Sequence, residues 1–560
     1  MKKIVVGVLL TIAVTFGPAQ KSVMFKTSHE EQSVLYQWKH FDGNRINATM
    51  NSAGPYADYL ETASAGLEWP KGTGKTAIFT AGIWIIGKHH PTDSLRTAIQ
   101  YYQTEFQPGP ILGTFNTSTN DTSVAANPYD PKFRIYKINK GDDGNSNPDY
   151  ADWPGDLGAP YNDINNNGAW DKGIDTPKLY GDQTLWCVYN DLNKYWHSIS
   201  GVTPPMGIEI QATYFGFDTD DFLKDIMFMK WKIINKSDAG YDSVFIGMWS
   251  DTDMGDSNDD QNGSDSLLQL NYVYNDDNDD GGLNGYGSTP PACGFTFLQG
   301  PIVVSTINDS AQIEDRIVRG YRNLRATSSM AILKNFSFFS DPWLSNSKCA
   351  RNIFYYMNGL NSLGAPIIDS TTHAPSKFMF AGDPVAGTGT LVSTWHIVGG
   401  DKRSLISSGP FAFAKGDTQE VIGAFVIAEG TDRLNSITLL KQSTSYVHSF
   451  YVNNPSFILN VYEHQLPPAS FHLDQNFPNP FNPATTIRYS LSKQALASIT
   501  IYNILGQKVR TVLNEVKNAG TYEVEWNGRS DGGISVASGM FFYRMTTDGF
   551  TMTKKMLMLK

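Results

Sequence analysis

Residues 225–251 read DIMFMKWKIINKSDAGYDSVFIGMWSD. Two runs of strand formers, IMFMKWKIIN and SVFIGMWSD, flank a short polar segment rich in turn residues, and the stretch predicts a hairpin or a pair of neighbouring strands. The same texture recurs along the chain in AIFTAGIWIIG from Ala77, TLWCVYN from Thr184, GIEIQATYFGF from Gly207, LLQLNYVYN from Leu267 and EVIGAFVIAEG from Glu420. One segment departs from it. In TDRLNSITLLKQSTSYVHSFYVNN, residues Leu434, Ile437, Leu440 and Tyr446 recur at helical steps, with Thr431 or Asp432 as the cap. The expected body is therefore mainly β, built of antiparallel sheets or a β-sandwich, with a few helices packed on them.

At 560 residues the chain is long enough for two to four domains. Its 41% hydrophobic and 18% charged residues suit a folded protein. The net charge of -11 argues against nucleic acid or anionic lipid as a partner and is compatible with bound cations. Three cysteines, Cys187, Cys293 and Cys349, make no disulfide framework and no CxxC motif, although one bridge between two of them is open; Cys187 reads as a core thiol. Residues 1–19 have two lysines, an apolar run from Ile4 to Phe16 and small residues at Gly17 and Ala19, the order of a secretory signal peptide. The GTGKT of EWPKGTGKTAIF resembles a P-loop at its end, but Trp69 stands where the first glycine belongs and strand formers follow. No nucleotide is expected there; the stretch reads as a glycine turn into a core strand, anchored by Trp69.

The acidic turns carry the chemistry. NDINNNGAWDKGID places Asp163, Asn165 and Asn167 at alternating positions, then Gly168 and Asp171. Oxygen ligands at 1, 3, 5 and 9 with glycine at 6 are the first part of a calcium loop. Position 12 is Ile174, with Asp175 one residue later, so a true EF-hand is not expected and an extracellular, β-protein kind of calcium loop fits better; the alternative is an ion-free turn. A second cluster, SDTDMGDSNDDQNGSD, carries Asp251, Asp253, Asp256, Asp259, Asp260 and Asp265, whose mutual repulsion asks for cations or solvent. Asn275–Gly282 is a weaker case. No HExxH, no G-x-S-x-G and no assembled catalytic set is legible. Trp69, Trp84, Trp153, Trp170, Trp186 and Trp196 serve either as core anchors or as a sugar-binding face.

The last 90 residues form a small all-β module. In ASITIYNI, Ala497, Ile499 and Ile501 face one way and Ser498, Thr500 and Tyr502 the other; TYEVEWNG and GMFFYRM add strands, and Pro478, Pro480 and Pro483 keep the approach extended. The segments NFPNPFNPATTIRYSL, IYNILGQKV, GTYEVEWNG, SGMFFYRM and KKMLMLK, in that order, resemble the type A C-terminal sorting domain of the bacterial type IX secretion system. The resemblance implies an immunoglobulin-like sandwich over 471–560, recognition by the outer-membrane translocon, passage through the periplasm, and release or attachment to surface polysaccharide. The body also resembles uncharacterised secreted proteins that carry this domain, on segments such as NPDYADWPGDLGAPYNDINNNGAWDKGID and MWSDTDMGDSNDD, which implies a class and no activity.

The expected organisation is a signal peptide (1–19), an N-terminal β-rich region with the candidate calcium loop (20–204), a central β-rich domain with acidic loops and one helix (205–465), a linker (466–470) and the sorting domain (471–560). The expected function is a secreted or cell-surface protein with a calcium-stabilised body of structural, adhesive or ligand-binding type. The alternative is a secreted hydrolase of polysaccharide or peptide with a site that spacing does not reveal.

Overall fold

The computed structural model describes residues 37–559 except 60–63, 103, 198–202, 283, 315, 334–337, 344–345, 398–400, 454–470, 492–494, 518–519 and 548. The signal peptide and the 466–470 linker lie outside the described residues. The chain forms two compact units, residues 1–461 and 462–560.

Along the body the long strands are β1 (Thr80–His89), β2 (Ser94–Ile99), β3 (Tyr136–Asn139), β4 (Gln183–Asn190), β5 (Ile208–Gly216), β6 (Ile226–Asn235), β7 (Tyr241–Asp251), β8 (Asp260–Asp265), β9 (Leu270–Asn275), β10 (Ala292–Gln299), β11 (Ser328–Leu333), β12 (Lys402–Phe413) and β13 (Thr418–Ala428). They make two antiparallel sheets. A five-stranded sheet runs β11-β12-β7-β1-β2, and a nine-stranded sheet runs β3-β4-β5-β6-β13-β10-β9-β8, with Gln107–Pro108 also paired to β4. The inner faces close on one core. Met227, Met229, Trp231 and Ile233 of β6 meet Val244, Ile246 and Met248 of β7 there, all nearly inaccessible to water. Helix α1 (Cys349–Met357) covers the far side of the five-stranded sheet, and α2 (Arg433–Asn453) covers the far side of the nine-stranded one.

This arrangement corrects the hairpin reading of residues 225–251. Strand β6 pairs with β5 and β13, whereas β7 pairs with β1 and β12. The five residues between them are an arch that carries the chain from one sheet to the other. Asn235 holds it open: its amide donates to the carbonyls of Ala239 (2.9 Å) and Ala414 (3.0 Å), while Asp238 accepts from the backbone N–H and hydroxyl of Thr117. The apolar stripes of both strands then face each other across the core instead of lying side by side in one sheet.

The domain boundary expected at 204/205 is corrected as well. Strands β4 and β5, on either side of it, pair along eight residues, and β1 and β2 from the N-terminal region complete the sheet that β7 and β12 begin. No core could close on either side alone. The helix expected over 431–454 is present as α2. Asp432 caps it, with Oδ1 accepting from the backbone N–H of Leu434 and Asn435, and Ile437 and Leu440 are buried while Tyr446 stays partly exposed. The GTGKT stretch is a turn. Gly74 N–H donates to Glu68 Oε1 at 2.7 Å and Glu68 pairs with Thr76, after which strands follow. Trp69 is buried and held by Asp225 Oδ1 (2.7 Å) beneath the Arg45 guanidinium. Of the other named tryptophans, Trp84, Trp153, Trp186 and Trp196 are core residues, and Trp170 is half-buried with its edge on Tyr161. All three cysteines are buried and free.

The second unit is a seven-stranded sandwich. Strands β14 (His472–Leu473), β15 (Thr485–Leu491) and β18 (Gly520–Trp526) form one sheet; β16 (Ala495–Asn503), β17 (Lys508–Lys517), β19 (Gly539–Thr547) and β20 (Phe550–Met558) form the other, in the order β17-β16-β19-β20. Ala497, Ile499 and Ile501 face its core with Trp526, Tyr543 and Met556, as their alternation requires.

Candidate metal centres

The loop between the short paired strands Tyr161–Asn162 and Thr176–Pro177 gathers all five of its predicted oxygen-bearing residues. Asp163 Oδ2 accepts from Gly168 N–H (2.7 Å), and the amides of Asn165 (2.8 Å) and Asn167 (2.6 Å) both donate to Asp171 Oδ2. Gly168 has φ +78°, a backbone conformation that lets the loop turn back on itself there. Asp175 is buried and committed to the backbone, with its two oxygens accepting from Ile164 N–H (2.9 Å) and Asp171 N–H (2.7 Å). It locks the loop base. The remaining four side chains are exposed or half-exposed and converge, so a half-turn of either asparagine amide offers its oxygen beside Asp163 and Asp171.

The second acidic cluster is larger than its sequence suggests. It lies where β7 ends and where β8 and β12 begin. Carboxylate oxygens of Asp251, Asp253 and Asp401 all lie within 4.8 Å of one another. Arg403, opposite Asp251 in the β7–β12 ladder, sits beneath them: its guanidinium is 2.5 Å from Asp401 Oδ1, 3.3 Å from Asp251 Oδ1 and 3.6 Å from Asp341 Oδ1. Tyr102 O–H donates to Asp251 Oδ2 at 2.7 Å. Asp58, buried and bonded by Thr80 Oγ1, faces the same group. Burial pushes the Asp58 carboxyl up to about 7, with Asp251 adding to the rise against the Thr80 bond.

Asp260 is buried beside them. Its Oδ2 accepts from Met254 N–H (3.2 Å), its Oδ1 has no hydrogen-bond partner, and Lys402 Nζ is bonded to its backbone carbonyl. Burial, aided by the charges of Asp253 and Asp259, holds its carboxyl well above the usual range. Asp256 and Asp259 turn to an adjoining corner with Asp280 and Asn275. Asp256 N–H donates to Asp280 Oδ1 (2.8 Å), and Asn275 Nδ2 donates to Asp259 Oδ2 (3.1 Å). Burial, together with the charges of Asp280, Asp256 and Asp276, raises Asp259 to about 7. Asp265 stands apart and pairs with Lys441 of α2 at 3.3 Å.

Across this pole Asp58, Asp251, Asp253, Asp260, Asp341 and Asp401 face the cations Lys402 and Arg403. Such an excess of carboxyls, four of them buried and Asp253 and Asp401 partly so, is eased by protons, by solvent or by a shared cation. The oxygen-only donor set is that of a hard divalent ion such as calcium. Asp58, Asp341 and Asp401 escaped the sequence reading because they come from distant segments; their spacing carries no signal, and strand pairing alone brings Asp401 and Arg403 to Asp251.

Residues 482–549 match the FlgD Ig-like domain family. No curated protein sequence matches the chain. Among solved structures it is similar to a polysaccharide lyase (9% identity, 63% of this chain and 34% of that one, TM-score 0.16). It is also similar to dimeric latent PorU from Porphyromonas gingivalis (12% identity, 67% and 31%, TM-score 0.15). A third is PorZ, a surface component of the type-IX secretion system of the same organism (11% identity, 70% and 48%, TM-score 0.13). The chain spans 31% to 48% of these structures, and at such TM-scores the likenesses carry no argument. Among the described residues, no helix is long and apolar enough to cross a membrane.

Proposed function

We propose that this is a secreted or cell-surface protein exported by the type IX secretion system, with residues 471–560 as the sorting domain read by the outer-membrane translocon. Its body is a structural, adhesive or ligand-binding module stabilised by calcium. One observation carries the export reading: the segments that resemble the sorting domain meet in space on an immunoglobulin-like unit. Tyr543 of the FFYRM segment donates to Asp474 O (2.6 Å) and accepts from Asn476 N–H (2.8 Å) of the lead-in. Asn479 Oδ1 accepts from Leu557 N–H (2.9 Å) of the terminal KKMLMLK segment, and Phe481 packs on Trp526 of GTYEVEWNG. These segments therefore fold as one unit, largely through buried contacts.

Deleting 471–560 in a bacterium that has this secretion system is expected to leave the protein in the periplasm, measured by fractionation and immunoblotting. Delivery of the truncated chain to the surface at the normal level would refute the sorting role. Calcium is supported by the surplus of buried carboxyls, and attachment to surface polysaccharide by the resemblance alone.

A further inference from the structure

The outer face of the nine-stranded sheet has two apolar covers. Helix α2 packs over Phe228, Ala424 and Val426, and residues between 126 and 180 pack over Tyr136, Ile138 and Val188. Between these covers the sheet turns polar. Gln211 and Thr213 of β5, Lys230 and Lys232 of β6 and Glu420 of β13 lie on neighbouring strands, and Glu314 overhangs them from a hairpin. Together they line a cleft of about 160 Å³ walled by Tyr180 and Trp186. We infer that this cleft binds one neutral sugar residue.

Charge sets the ligand class. Lys230 is 3.1 Å from Glu420 Oε2, with side chains 11% and 3% exposed, and Lys232 is 2.5 Å from Glu314 Oε1. Both cations are already matched, so a charged ligand would have to break a pair, whereas a neutral polyol need not. Each sugar hydroxyl donates and accepts, which suits a lining of ammonium donors, carboxylate acceptors, a hydroxyl and an amide. Gln211 Oε1 is buried against the Gly158 backbone without a hydrogen-bond partner, while Gln211 Nε2 donates to Glu209 Oε1 at 3.2 Å; a rotation of this amide towards the cleft would bring its unspent acceptor to a sugar hydroxyl. Gly158, at φ +98°, has no side chain to crowd this amide. Partly buried ion pairs at the centre of an otherwise apolar sheet face stabilise a fold poorly compared with packed aliphatic groups. A recognition role accounts for their presence. The volume admits one pyranose ring.

Burial raises Glu314, but the hydrogen bonds and charges of Lys232 and Arg316 outweigh it and hold the group below its ordinary range, an ionised partner to both cations.

The inference rests on reading the body as a ligand-binding module, and not on calcium. The test is calorimetric titration of the purified chain with free neutral hexoses and the matching hexuronates, alongside immobilised glycans ending in the same hexoses, with and without chelator. Binding of a neutral hexose on the order of 1 mM or tighter is expected, and it should survive chelation. Stronger binding to a glycan than to its free sugar would identify a glycan terminus as the source; equal binding would identify the free sugar. Thr213→Val, which keeps the strand-forming shape, and Gln211→Leu should each weaken binding about tenfold, roughly 1.4 kcal/mol, without lowering the melting temperature by more than a few degrees. Absence of hexose binding, tighter binding of hexuronates, or folded variants that bind like the parent would overturn the proposal. Each of those results leaves the periplasmic-retention test of the sorting domain unaffected.

Discussion

At pH 7.5 the purified protein is expected to melt about 5 °C higher in millimolar calcium than in chelator. A ligand at a hundredfold its Kd stabilises by about 2.7 kcal/mol, and in a body of this size each kcal/mol moves the midpoint by roughly 2 °C. The effect should depend on pH in a definite sense. Asp58 and Asp259 have folded-state carboxyls raised by burial to about 7, against an ordinary value near 4. Between those values the folded state binds more protons than the unfolded one. Stability in chelator is therefore greatest below about pH 4 to 5, as far as these groups are concerned, and is lost as pH rises through 7. Glu105 and Asp191, raised by burial to about 8 and about 7 elsewhere in the body, steepen the same slope but do not bear on calcium. In the proposed calcium-bound state the ion would take the place of the protons at the acidic pole, so its stabilisation should grow from pH 5 to pH 8. Replacing Asp251 and Asp253 together with asparagine should remove most of the calcium shift and raise the melting temperature in chelator. Asp163→Ala should remove a smaller part, from the separate 163–175 loop. An unchanged melting temperature on chelation at pH 8 would retire the cation at both places.

The limits of sequence reading show at particular residues. Runs of strand formers identified β1, β4, β5, β6, β7, β9 and β13, because strands buried on both faces are near-continuously apolar; β12, the longest, and β2, β3, β8, β10 and β11 were not read from the sequence. What such runs cannot say is which strand lies beside which. IMFMKWKIIN and SVFIGMWSD would look the same as a hairpin or as an arch; the difference is made by Asn235 bonding to Ala239 and to Ala414, nearly 180 residues away in sequence. The candidate sites divide the same way. The 163–175 loop was legible because its donors come from one turn, whereas the acidic pole was half legible. Asp251, Asp253 and Asp260 lie in one run, but Arg403 and Asp401 reach them through the β7–β12 ladder. The sandwich of the last unit was the most legible part, since β15, β16 and β19 each carry an alternating apolar stripe.

Asp191→Ala is expected to destabilise the body by about 4 kcal/mol or more, which is large against the 5–15 kcal/mol of a typical domain. The residue sits just after β4 and is fully buried. Its carboxyl accepts from three successive backbone N–H groups at the start of β5: Met206 (2.6 Å), Gly207 (3.0 Å) and Ile208 (2.7 Å). These are buried donors at the point where the chain re-enters the sheet, and with the carboxyl gone each loses its partner at roughly 1–3 kcal/mol. The backbone cannot move to water without pulling β5 out of register with β4, which would turn Ile208, Ile210 and Ala212 away from the core. Asp191→Asn keeps one acceptor oxygen and should lose about half as much. Urea unfolding of the chain lacking 471–560, followed by tryptophan fluorescence, measures both on the body alone. A cost below about 1 kcal/mol for the alanine variant would mean that the three amides find other partners. A large cost would show that the chain around 204/205, where a domain boundary was expected, is tied to the end of β4 by a single carboxyl.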